Sequence, residues 1–184
     1  MNPNKPISNP MLCGTIELLK AENTPEHKKM FMDEMIRATY LSPVVIDPIP
    51  QPDEMGRVKI TSENKVQFPM ISAKDGKKFF MAFTDWEELK KWNPADNQQT
   101  FAMKFDDYAS MLLRKDKEGN PSPGVGFVIN PYSSNVLVTN GMIAQILEAR
   151  LAQKGIKFPK VPPKNVGEAA QAETEQTAEE QSAE

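Results

Sequence analysis

Apolar residues recur at helical intervals over the first forty positions and then change rhythm. Asn9-Pro10 starts a helix with Pro at its first position, and Leu12, Ile16 and Leu19 give it one apolar face. Thr24-Pro25 starts a second helix, in which Phe31, Met35 and Ala38 repeat with Met32 and Ile36 beside them, ending near Tyr40. The β-branched run Val44-Val45-Ile46, closed by Pro48, then makes residues 41–47 a strand. Pro48, Pro50 and Pro52 form a stiff loop, followed by predicted strands over residues 57–61 and 66–72. Asp75-Gly76 is a tight-turn signal, which folds 66–72 back on 78–83 as an antiparallel hairpin.

Thr84 is placed to cap a helix, with Glu87 at the capping-box position and Trp86, Leu89 and Trp92 along it at intervals of three. Residues 99–103 read as a short strand. Phe105, Tyr108, Ala109, Leu112 and Leu113 then give an amphipathic helix, and 115–124 a polar loop. Strands at 125–129 and 136–138 follow, and Asn140 is placed to cap a last helix over 141–153, with Ile143, Ile146, Leu147 and Leu151 facing inward.

These patterns predict an α+β domain over residues 10–158. It comprises an amino-terminal helical pair (10–39), a mixed or mainly antiparallel sheet region (43–138) and helices packed on the sheet. Residues 1–9 read as a flexible lead, and 159–184 as a disordered acidic tail almost without apolar side chains. Residues 165–184 hold six Glu and no Lys or Arg; removing that −6 from the net −3 leaves about +3 on residues 1–164, too scattered for a nucleic-acid footprint. A single cysteine fits a reducing compartment. The opening residues lack the apolar core of a signal peptide, and no run reaches the ~20 apolar residues that span a bilayer. The expectation is a cytoplasmic chain that binds neither nucleic acid nor membrane.

Candidate chemistry is sparse. His27, the one histidine, reads as a solvated residue on the second helix, and Cys13 as a packing residue of the first. Gly124 and Gly126 precede a strand rather than a helix, so they suit close backbone approach, not phosphate binding. Asp106 and Asp107 point about 100° apart on a helix and suit its amino terminus. No catalytic set, metal site or cofactor is expected. Phe79, Phe80, Phe83, Trp86, Trp92 and Tyr132 are mostly core candidates. Phe79 and Phe80, adjacent on a strand, point to opposite faces, so one is a candidate for exposure and partner recognition. The segment Asn130-Pro131-Tyr132-Ser133-Ser134-Asn135 reads first as a turn, with a binding loop as its alternative.

Several strings resemble the SseB amino-terminal domain family, the enhanced-serine-sensitivity proteins of bacteria. They are Phe68-Pro69, the Asp75-Gly76 hairpin, Phe83-Thr84-Asp85-Trp86 and Gly126-Phe127-Val128-Ile129-Asn130-Pro131, in that order between about Val44 and Leu147. The helices at 10–39 are similar to this family's lead-in. The resemblance implies a compact α+β domain that occurs alone or before a second domain, and it supplies no catalytic residues; here an acidic tail is expected in place of a second domain. The expected function is a non-enzymatic protein-interaction module with an unidentified protein partner, linked to a serine-sensitivity phenotype. Phe80, Asp85, Trp86, Asn130, Tyr132, Ser133 and Asn135 are its candidate binding residues. The alternative is an amino-acid or nucleotide sensor, or an enzyme, with a polar site at the 130–135 loop. Oligomeric state is left open.

Overall fold

The computed structural model describes residues 6–51, 53–55, 57–95 and 98–153. The predicted tail, 159–184, and most of the lead, 1–5, lie outside these residues. Two helices come first, α1 (Pro10–Ala21) and α2 (Pro25–Arg37). Thr24 caps α2 by accepting the His27 N–H at 3.1 Å. Leu12 and Ile16 of α1 and Phe31 and Met35 of α2 are buried, on the faces their spacing predicts. The pair ends at Arg37 because residues 39 and 40 already belong to a strand.

The apolar run at 41–47 divides between two strands. β1 (Thr39–Pro43) pairs antiparallel with β6 (Thr100–Lys104), whereas β2 (Val45–Asp47) pairs antiparallel with β3 (Lys65–Gln67). The expected strand at 66–72 likewise divides, into β3 and β4 (Met70–Ser72). Phe68-Pro69 falls between the two pieces; Pro has no N–H for a ladder and so marks a break in pairing. Residues 57–61 are not the expected strand. Val58 and Ile60 are exposed and have no face to bury, and the segment is held by Asp53, whose carboxylate accepts the Arg57 N–H at 2.8 Å and Nε–H at 2.9 Å.

The hairpin forms at the predicted turn but over a shorter arm than 66–72: β4 alone pairs antiparallel with β5 (Lys78–Ala82), and Gly76 sits in the turn at φ 79°, a region that favours glycine. The sheet order is β4-β5-β7-β8, with β7 (Gly124–Ile129) parallel to β5 and β8 (Val136–Thr139) antiparallel to β7. It is therefore mixed, and every other strand pair in the described residues is antiparallel. Leu41 and Phe83 exchange two backbone hydrogen bonds at 2.9 Å, which fixes β1 to the end of β5.

The register assigns the faces. Phe80, Phe127 and Val138 stand across from one another on one face, and Met81, Val128 and Leu137 on the other. The first face is fully covered: α4 (Phe105–Leu113) lays Tyr108 on Phe127, rings stacked at 4.6 Å, and Tyr40 meets Tyr108 edge-on at 6.1 Å. Leu112 of α4 is buried but Leu113 is exposed, which narrows the predicted apolar face by one residue. The second face is covered at Met81 by Leu41, Phe83 and Leu89, the last from α3 (Trp86–Trp92). Burial from both sides explains the unbroken apolar run 79–83. Phe79 and Phe80 are consequently both buried, and the expectation that one of them is an exposed recognition residue is corrected.

Two caps also differ from expectation. Asp85, not Thr84, caps α3, its Oδ1 accepting the Glu88 N–H at 2.9 Å. Asn140 is the first residue of α5 (Asn140–Gln153), and Thr139 Oγ1 accepts the Met142 N–H at 3.3 Å in the capping position. The sheet lies within a unit that ends at Ile146, and Leu147 begins a second. Among the described residues no helix is long and apolar enough to cross a membrane.

Candidate functional site

Because β5 and β7 are parallel, their carboxyl ends lie side by side, and the segments that leave them, Thr84-Asp85 and Asn130-Pro131, meet there. The Thr84 N–H donates to Asn130 Oδ1 at 3.0 Å, and Asn130 Nδ2 donates to Thr84 Oγ1 at 2.8 Å. Both residues are buried. Asn130 also donates its N–H to Ala82 O at 2.9 Å, and its carbonyl accepts from the N–H groups of Ser133 (3.1 Å) and Asn135 (2.8 Å). Every polar heavy atom of Asn130 is thus engaged. Asn130 and Asn135 have positive φ, 48° and 50°, a conformation asparagine tolerates better than other non-glycine residues. The left-handed turn and the buried amide together lock the 130–135 loop to the end of β5.

The lock extends outward in both directions. The Thr84 hydroxyl donates to Asp85 Oδ2 at 2.8 Å, so one Asp85 oxygen serves Thr84 while the other caps α3. From the amino-terminal side, Asn9 Nδ2 donates to Thr84 O at 2.7 Å and to Thr39 O at 2.8 Å, and the Cys13 thiol lies 3.7 Å from Thr84 Oγ1. On the solvent side Ser133 Oγ donates to Glu88 Oε2, and Lys91 holds the other Glu88 oxygen. That bond to Glu88 raises the pKa of the Lys91 ammonium.

Of the residues singled out in the sequence, Asp85, Asn130 and Ser133 come together in this network, with Asn135 tied to it by its backbone. Phe80 does not join them; it is buried in the sheet. Trp86, the first residue of α3, and Tyr132, in the 130–135 loop, stay exposed, at 39% and 53%. A cavity of about 230 Å³ beside Trp86 is lined by Leu89, Lys90 and Ala95. Asn9, Thr84 and Glu88 were not singled out as site residues. Thr84 was read as a cap, and nothing local to Asn9 or Glu88 marks partners 75 and 45 residues away.

Chemically, the arrangement holds surfaces in place more than it presents reactive groups. Both oxygens of Asp85 and both of Glu88 already accept hydrogen bonds. The Tyr40 and Tyr108 phenols are held neutral, their pKa values pushed far up by burial, and each donates to a backbone carbonyl, of Met35 and Met81 respectively, at 2.9 Å. Among the described residues no group of three His, Cys, Asp or Glu side chains is placed to hold a metal ion.

No curated protein and no solved structure matches the chain. The family model described as the SseB protein N-terminal domain matches residues 14–145, well over half of the sequence. That stretch takes in α2, all eight strands, α3, α4 and the Thr84–Asn130 lock. The fold and this match agree with the resemblance carried by the Phe83-Thr84-Asp85-Trp86 and Gly126–Pro131 strings, and the chain belongs to the SseB protein N-terminal domain family.

Proposed function

We propose that this domain is a non-enzymatic protein-interaction module of the bacterial cytoplasm, acting in the process behind the serine-sensitivity phenotype for which its family is named. One observation carries the reading. Thr84 and the buried amide of Asn130 spend their polar groups on each other, while Trp86, at the start of α3, and Tyr132, in the 130–135 loop, face solvent. Aromatic side chains on a backbone already fixed are suited to protein recognition, because little ordering entropy remains to be lost on binding. The test is affinity capture from native cytoplasm with Trp86→Ala and Tyr132→Ala. Loss of the captured partner from both variants, with melting temperatures unchanged, supports the module; full recovery by both folded variants contradicts it.

An amino-acid or nucleotide sensor at the 130–135 loop is the second reading. It draws on Asn135, whose side chain is exposed and has no hydrogen-bond partner among the described residues. A saturating ligand would raise the melting temperature in a thermal-shift screen. A flat screen of amino acids and nucleotides removes this reading and leaves the first.

A further inference from the structure

The β8 edge of the sheet is unguarded. β8 is Val136-Leu137-Val138-Thr139; it pairs in regular register with β7 and, among the described residues, with no other strand. An edge strand presents unpaired N–H and C=O groups, and proteins commonly blunt such edges with charge, proline or a bulge. β8 has no charged residue and no proline, and its ladder has no bulge. Leu137 is 42% exposed.

Beside this edge the second face of the sheet forms a groove of about 540 Å³, with a floor of Phe79, Val125 and Leu137. One rim is the hairpin turn, with Lys74, Asp75 and Lys77, and Lys78 follows on β5. Asp75 is taken by Lys77 at 2.7 Å, while Lys74 and Lys78 have no partner among the described residues. The opposite rim is Thr139, Asn140 and Gly141, with no carboxylate. Asn140 adds a buried Oδ1 that accepts no hydrogen bond. A floor that is apolar, a rim with excess positive charge and an open strand edge ask for one kind of occupant.

We propose that an extended segment of a partner protein, alternating apolar and acidic residues, adds to β8 as a further strand. Its backbone pairs with Val136–Thr139, its apolar side chains enter the Phe79–Val125–Leu137 groove, and its carboxylates meet Lys74 and Lys78. A second copy pairing through its own β8 edge is disfavoured as occupant, because it would set the Lys74 and Lys78 of one copy near those of the other. The surface is separate from Trp86 and Tyr132 and does not rest on the reading above.

The test uses the full chain and a short fluorescein-labelled peptide in which Glu alternates with Val and Leu, followed by anisotropy and by amide chemical shifts. Binding is expected, with shifts concentrated in residues 74–79 and 136–141. Leu137→Asp and the double variant Lys74→Glu/Lys78→Glu are each expected to weaken it roughly tenfold or more, with folds intact because all three positions are exposed. The same peptide with Lys for Glu should not bind. Absent binding, equal binding of the lysine peptide, or shifts elsewhere would overturn the proposal. So would free glutamate reproducing the same shifts, which would make this an anion site, or a homodimer that Leu137→Asp dissolves.

Discussion

Asn130 couples local geometry to long-range order. Its positive φ shapes the loop, and its side chain satisfies the backbone N–H and the hydroxyl of Thr84, 46 residues earlier. Asn130→Ala leaves that buried N–H without an acceptor and puts a less tolerant residue at positive φ. A loss of about 2–4 kcal/mol is expected, read as a lower urea midpoint. A stability within experimental error of wild type would show that the lock is dispensable. Tyr40 and Tyr108 act at the same scale through their protons. Burial raises both phenols well above the pKa of about 10 that they have in the unfolded chain. Below that pH both states hold the protons and stability is unaffected. Above it the unfolded state releases protons that the folded state retains, so stability falls as pH rises. The melting temperature should therefore drop in the alkaline range, and Tyr108→Phe should make that drop shallower.

Strands here are set by which partner is within reach, and that is where the sequence was least legible. The Asp75-Gly76 hairpin and the α1, α2 and α4 faces were readable because their signals are local: a turn dipeptide, or spacing along one helix. The runs at 41–47 and 66–72 each divide between two partners; Pro69 marks the second break, but no property of Val44 alone indicates the first. Gly126 is an intermediate case. Its place at a strand start suggested close backbone approach, and a Cβ there would sit 2.3 Å from Val138 O. Gly126→Ala must push β7 and β8 apart and should cost about 1–3 kcal/mol. Hydrogen exchange of the β8 amides should accelerate with it; unchanged protection would mean the two strands separate without loss.

At the scale of the whole molecule, α2 packs on α4, α4 on the sheet, and the parallel β5–β7 pair carries two loops to one end. The candidate residues Asp85, Asn130 and Ser133 could be picked out because polar residues interrupt apolar strands. Their joining could not, since it depends on β5 and β7 being neighbours across more than forty residues. Phe80 was misplaced for the complementary reason: two adjacent aromatics imply opposite faces, but only the tertiary structure shows both faces covered.

Trp86 and Tyr132 are both exposed, so their loss should leave the fold intact. The most direct measurement is quantitative affinity capture from native cell lysate with the Trp86→Ala/Tyr132→Ala double variant, beside wild type at matched melting temperature. The interaction module requires the partner to be depleted at least about tenfold, the loss of only ~1.4 kcal/mol of binding. Equal recovery from the folded double variant would contradict it.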